Sequence, residues 1–229
     1  MTSVQRGSFD AADYERTVKA VNTGYDLLFT LVYCFLRALR DPELDLLVVG
    51  AGGGMEIERF LPDNPAWRLT GVDPSQPMLA LAQARAEARG VASRTTLLPG
   101  SVEDLPAERR FSAATCVFVL HFLPDDQKLA LLRATANRLR PEAPLLVASA
   151  ARVDDQSLRD DFLGAWQQHG ELMGLPPERM AATIEQLLAQ HASLTSIDDY
   201  ERLLHAAGFK RVAPFFSVMA GAMTGWIAR

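Results

Sequence analysis

A chain of 229 residues with 48% hydrophobic and 22% charged side chains is long enough for one sizeable core and has the balance of a globular protein. Its net charge of −5 and pI near 5.4 argue against the broad basic face that general nucleic-acid binding needs. Cys34 and Cys116 are the only cysteines and both sit in apolar runs, so buried free thiols are expected in place of a disulfide framework. The first sixteen residues have no apolar core of a signal peptide, and the apolar run at 27–36 is too short to span a bilayer. A cytoplasmic protein is the expectation, without membrane attachment.

Residues 12–40 predict helix with a break near Asn22-Thr23-Gly24. In the second part Leu28, Leu31, Val32, Phe35, Leu36 and Leu39 recur at three- and four-residue spacing, the apolar face of a packed helix. Asp41-Pro42 ends it. Leu46–Val49 then reads as a short strand buried on both faces, followed by five residues of which four are glycine, and by the helical MEIERFL. A second strand at 68–72 ends at Asp73, with a helix at 76–88 carrying Met78, Leu79, Ala82 and Ala86 inward. Further strands are predicted at 95–98, 113–119 and 145–148, with a helix at 127–139 between the last two. Such alternation implies parallel βαβ units, an α/β doubly wound sheet. Beyond residue 150 two successive helices, 154–169 and 177–190, have no strand between them and read as a cap. Their expected apolar sides carry Leu158, Phe162, Trp166 and Met180, Ile184, Leu187, Leu188. A last helix at 197–207 stops at Gly208, and strands at 212–217 and 223–228 predict an antiparallel finish to a mostly parallel seven-stranded sheet. No repeat or linker divides the chain. It reads as a single domain with an N-terminal helical lid (1–43), a strand–helix core (44–150), a helical cap (151–196) and a closing helix with its strand pair (197–229).

Gly50–Gly54 is the turn around which the rest is arranged. Its glycines let backbone approach a ligand closely, and the helix beyond presents free N–H groups. Asp73, 23 positions after Gly50 at the end of the second strand, is placed to accept hydrogen bonds from ribose hydroxyls. The pyrophosphate fingerprint requires a sixth-position glycine, where this chain has Met55, so a dinucleotide is the weaker fit. The four histidines are scattered and none pairs with cysteine at metal-ligand spacing, so no metal is expected.

With Gly50–Gly54, Asp73, GSVEDLP at 100–106 and VLHFLP in this order, the sequence resembles the class I S-adenosylmethionine-dependent methyltransferases. That resemblance implies a Rossmann-like fold with S-adenosyl-L-methionine as cofactor and S-adenosyl-L-homocysteine as product. By it, Gly50, Ala51, Gly52 and Gly54 would line the methionine moiety and Asp73 the ribose, with Pro74 beside it. Met78 would pack on adenine with Ser101 and Val102 at its edge, Glu103 or Asp104 would reach the adenine amino group, and Val117 and Phe118 would back the amino-acid end. Many relatives carry an acidic residue two positions before the first glycine, where this chain has Val48. The segments AVNTGY, LHFL, GLPPER and AAGF look closest to the carboxy-SAM synthase branch, which serves transfer-RNA wobble-uridine modification and adjoins small-molecule methyltransferases. In that branch an arginine precedes AGF on its helix; here the position is Leu203, with Arg202 beside it.

Methyl transfer requires alignment of an acceptor, and a base when the acceptor holds its proton tightly. His121, just past the fourth strand, is the candidate general base. Tyr14, Tyr25, His121, Trp166 and Tyr200 lie on segments expected to form the substrate pocket. The expected function is methyl transfer to a small-molecule acceptor in a partly apolar, enclosed pocket, and a homodimer is compatible with it. The alternatives are a carboxy-SAM synthase-like enzyme and a non-catalytic nucleoside-binding protein of the same fold.

Overall fold

The computed structural model describes residues 11–190 and 193–229, and the side chains of these except 11–15 and 190. Helices α1 (Ala11–Val21) and α2 (Tyr25–Ala38) precede β1 (Asp45–Val49). Then follow α3 (Met55–Phe60), β2 (Arg68–Asp73), α4 (Gln76–Ala88), β3 (Thr95–Pro99), β4 (Ala113–Val117), α5 (Asp125–Ala136) and β5 (Leu145–Ala150). The chain closes with α6 (Gln156–Leu172), α7 (Pro177–Gln190), α8 (Ile197–Ala206), β6 (Val212–Val218) and β7 (Met223–Ala228).

The seven strands lie in the order β3-β2-β1-β4-β5-β7-β6. β3 to β5 are mutually parallel, and β7 is antiparallel to both β5 and β6. The α/β sheet with a closing antiparallel pair expected from the strand–helix alternation is the fold observed. One sheet face packs on α2 and α3 through Leu28, Val32, Leu36, Val48, Ile57 and Phe60. The other packs on α5 and α8 through Leu47, Cys116, Leu132, Tyr200, Leu204 and Trp226. Leu28, Val32 and Leu36 are four residues apart and fully buried, each worth about 1.5–3 kcal/mol of hydrophobic stabilisation.

Helices α6 and α7 form a third, separate cluster with α1, built from Ala20, Phe162, Trp166, Leu175 and Met180. Trp166 Nε1 donates to the Val21 carbonyl at 2.6 Å and His169 Nδ1 to the Ala20 carbonyl at 3.0 Å. The end of α1 is thereby fastened to the cap.

Four expectations are corrected. β4 ends at Val117, two residues early, because Phe118 takes φ 60° and turns the chain into a single helical turn at Leu120–Phe122. Asp125 and Asp126 start α5 ahead of the predicted bound, where carboxylates favour the free N–H groups of the first turn. Leu158 is exposed: it lies in the first turn of α6, where its N–H donates to the capping Asp155 side chain. Cys34 is exposed on the outer side of α2; only Cys116 is buried.

Candidate active site

The sheet order reverses between β1 and β4, and a cleft opens where both strands end. The glycine turn forms its floor. Gly50 and Ala51 both donate their N–H groups to the Val72 carbonyl, at 2.9 and 3.0 Å, which ties the turn to β2. Gly50 has φ 72°, and a Cβ there would meet Val119 Cγ2 at 2.2 Å, so only glycine fits. Asp73 accepts the Gly52 N–H at 2.9 Å and the Ser75 N–H at 2.8 Å. One carboxylate thus fixes both the glycine turn and the entry to α4.

The cleft encloses about 870 Å³. Gly50, Ala51, Gly52, Asp73, Pro74, Met78, Val117 and Phe118 all line it. Phe118 stacks on Tyr25 with ring centroids 5.9 Å apart, so α2 supplies part of the wall. Four other residues expected at the cofactor lie elsewhere. Gly54 is the left-handed residue before α3, packed against Ala82 at 2.9 Å from where its Cβ would be. Val102 is fully buried in the core under α5. Ser101 and Glu103 are engaged locally, Ser101 Oγ lying 2.6 Å from Glu103 Oε2 while its N–H donates to Asp104. None of the four lines the cleft.

A second cavity of about 240 Å³ lies beneath α6 and α7. Its walls are mainly apolar, with Phe162, Leu163, Trp166, Leu187 and Met223 among them, and Arg159, Thr183 and Gln186 add polar groups. Val21, Asn22, His121, Phe122 and Gln186 line both cavities and form the junction between them.

Of the residues expected in a substrate pocket, His121 and Trp166 line the second cavity. Tyr25 lines the cofactor-side cleft instead. Tyr200 lines neither: it is buried on the opposite sheet face, donating to the Ala150 carbonyl at 3.2 Å and lying 2.9 Å from Ser149 Oγ. Burial pushes its phenol up to about 12. The side chain of Tyr14 lies outside the described residues.

His121 is held in one tautomer. Its Nδ1 receives the Ala150 N–H at 3.4 Å and lies 3.3 Å from Ser149 Oγ. A backbone N–H can only donate, so Nδ1 is the acceptor and the ring hydrogen sits on Nε2. Burial, with a lesser push from the Lys128 charge, lowers its pKa from 6.5 to about 4. At neutral pH His121 is an uncharged hydrogen-bond donor. That tautomer does not suit the general-base role that its sequence position suggested.

Sequence reasoning missed Glu56. It is 5% exposed, lines the cleft, and accepts from Thr115 Oγ1 at 3.3 Å. Burial pushes its carboxyl from 4.5 up to about 7. An acidic residue in a first helical turn reads as ordinary dipole complementation, which hides its burial. Phe122, Asn22 and Gln186 were missed as well, because no pattern marks which face of a loop or cap helix meets a cavity.

These walls fit a nucleoside cofactor carrying an amino-acid tail. Asp73 is a fixed carboxylate beside the glycine turn, Met78 and Phe118 are apolar surfaces, and the glycines leave room for close approach.

A methyltransferase domain family matches residues 46–142. A ubiquinone/menaquinone biosynthesis C-methyltransferase of Agrobacterium fabrum is 25% identical over 200 residues, covering 83% of this chain and 74% of that protein. A carboxy-S-adenosyl-L-methionine synthase of Pseudomonas syringae pv. syringae is 29% identical over 105 residues, covering 44% of this chain and 41% of that protein. The solved structure of an O-methyltransferase family protein from Burkholderia thailandensis is similar at TM-score 0.64 and 16% identity, over 96% of this chain and 59% of that one. At such identity the likeness is one of fold. The chain spans less than half the length of the first two curated relatives it matches, 30% and 41%. Residues 46–142 thus match a methyltransferase domain, and the fold is the Rossmann-like one shared with solved methyltransferase structures.

Proposed function

We propose that the protein transfers a methyl group from S-adenosylmethionine to a small, largely apolar acceptor held beneath α6 and α7. The supporting observation is the pair of joined cavities. A cleft bearing the glycine turn and Asp73 meets a smaller apolar chamber at Val21, Asn22, His121, Phe122 and Gln186. The cofactor supplies an activated methyl on a positive sulfur. The chain's own task is to align the acceptor and keep water out. Phe162, Leu163 and Trp166 give the apolar enclosure, and His121 Nε2–H is a donor for an acceptor oxygen at the junction.

A donor in that place cannot remove the acceptor's proton. The best-suited acceptors are therefore those ionised by themselves near neutrality: acidic phenols, enols or carboxylates. With saturating cofactor, the pH dependence of kcat/KM for the acceptor should follow the acceptor's own ionisation. A limb near pH 6.5, unrelated to the acceptor and removed in His121→Gln, would identify His121 as a base and overturn this reading of its role.

The synthase alternative finds less support. No residue of α8 lines either cavity, and Arg202 is exposed and paired with Asp199. Calorimetry with S-adenosylmethionine and S-adenosylhomocysteine tests the cofactor half, and transfer of labelled methyl to a panel of small aromatic and enolic acids tests the acceptor half. Folded protein that binds neither nucleoside would end the proposal.

A further inference from the structure

Two carboxyl groups line the cleft, and they are held very differently. Both oxygens of Asp73 are taken by backbone N–H groups of the glycine turn and of Ser75. Glu56 sits in the first turn of α3, directly after the glycine turn, and its carboxyl accepts from its own backbone N–H and, at 3.3 Å, from Thr115 Oγ1. Thr115 is register-paired with Val48 of β1. The Val48 side chain packs on the same sheet face as Ile57 and Phe60 of α3. The Glu56 carboxyl therefore reaches the sheet from the helix side at the level of residue 48.

Among the described residues Glu56 has no ion pair, and the Arg59 charge acts on it only from a distance. Arg59, one helical turn on, pairs with Asp26 and lies over the rings of Tyr25 and Phe29, 5.9 and 5.5 Å from their centroids. A carboxyl that is 5% exposed, lines a cavity and has neutral hydrogen-bond partners but no ion pair among the described residues is an arrangement suited to a cationic ligand. Resting on the cofactor reading above, we propose that Glu56 receives the α-ammonium group of the cofactor's amino-acid tail.

This assignment has a proton linkage that the other groups around Glu56 do not share. Without a ligand, burial keeps the Glu56 carboxyl protonated until about pH 7. The neighbouring Cys116 thiol on β4 is pushed up to about 12 by burial and by Glu56 itself, so it stays neutral. Asp26 on α2 is held low by Arg59 and Lys19 against the opposing effect of burial. Arg59 and Arg85 are permanent cations, Asp73 lines the same cleft, and His121 at the junction is uncharged above about pH 5. An ammonium ion seated on Glu56 favours its ionised form, so binding expels the proton.

Calorimetry with S-adenosylhomocysteine, run at pH 6 and pH 8 in pairs of buffers of different ionisation enthalpy, counts that proton. The expected result is release of close to one proton at about pH 6 and of roughly a tenth of one at about pH 8. Glu56→Gln should abolish the release and weaken binding about 10- to 100-fold at pH 8. Methylthioadenosine, which lacks the amino-acid tail, should bind wild type and variant alike with no proton released. Homocysteine-nucleoside binding by wild type with no proton release at pH 6, or unchanged affinity in the variant, would overturn the Glu56 assignment. Failure of wild type to bind either nucleoside would instead strike the cofactor reading. Should the variant not fold, the wild-type proton count at the two pH values decides alone.

Discussion

Asp73→Ala should weaken S-adenosylhomocysteine binding by about 3 kcal/mol, a loss of more than a hundredfold, because two functions end together. The carboxylate proposed for the ribose diol disappears. The Gly52 and Ser75 N–H groups also lose their acceptor, so the glycine turn is no longer tied to the start of α4. Asp73→Asn should recover only part of this, since an amide offers one acceptor oxygen and directs its NH₂ group at a backbone donor. Calorimetry on both variants, with thermal unfolding as the control, reads the difference. Binding within threefold of wild type in Asp73→Ala would remove Asp73 from the cofactor site.

The second large effect is expected in the stability of the cofactor-free protein. Glu56 has a folded value of about 7 against an ordinary 4.5, so its stabilising contribution is complete below about pH 4.5 and is lost as pH rises through about 7. His121 runs in the opposite sense. With a folded value of about 4 against 6.5, its contribution is complete above about pH 6.5 and is lost as pH falls through about 4. Each gap of about 2.5 pH units corresponds to about 3 kcal/mol. Between about pH 4.5 and 6.5 the two slopes oppose one another, so these groups largely cancel in the wild type. Single variants should expose them. Glu56→Gln should match wild type near pH 4.5 and exceed it by about 3 kcal/mol at pH 8, read from urea denaturation. A constant difference between the two curves across that range would show that Glu56 carries no burial penalty.

How far the chain could be read in advance follows from which signals are local. The ends of α4 and α7 were legible because Pro74-Ser75 and Pro176-Pro177 mark helix starts independently of tertiary contacts. β7 was legible from its apolar run closing the chain. The end of β4 was not, because apolar residues continue through Val119 while the backbone turns at Phe118. The glycine turn and Asp73 could be found because special backbone geometry leaves a composition mark. Tyr200 and Val102 could not be placed, since periodicity shows that a side chain points inward but not to which side of the sheet. Glu56 was hidden for a related reason. Its burial depends on α3 lying over Thr115 and Val48, a contact between segments 59 residues apart.

The most direct test of this account is a crystal structure with S-adenosylhomocysteine bound. The account predicts the ribose diol on Asp73, the ammonium group on Glu56, and the sulfur at the His121–Phe122 junction facing the apolar chamber beneath α6 and α7. A sulfur opening to solvent away from that chamber, or a nucleoside seated outside the glycine cleft, would contradict it.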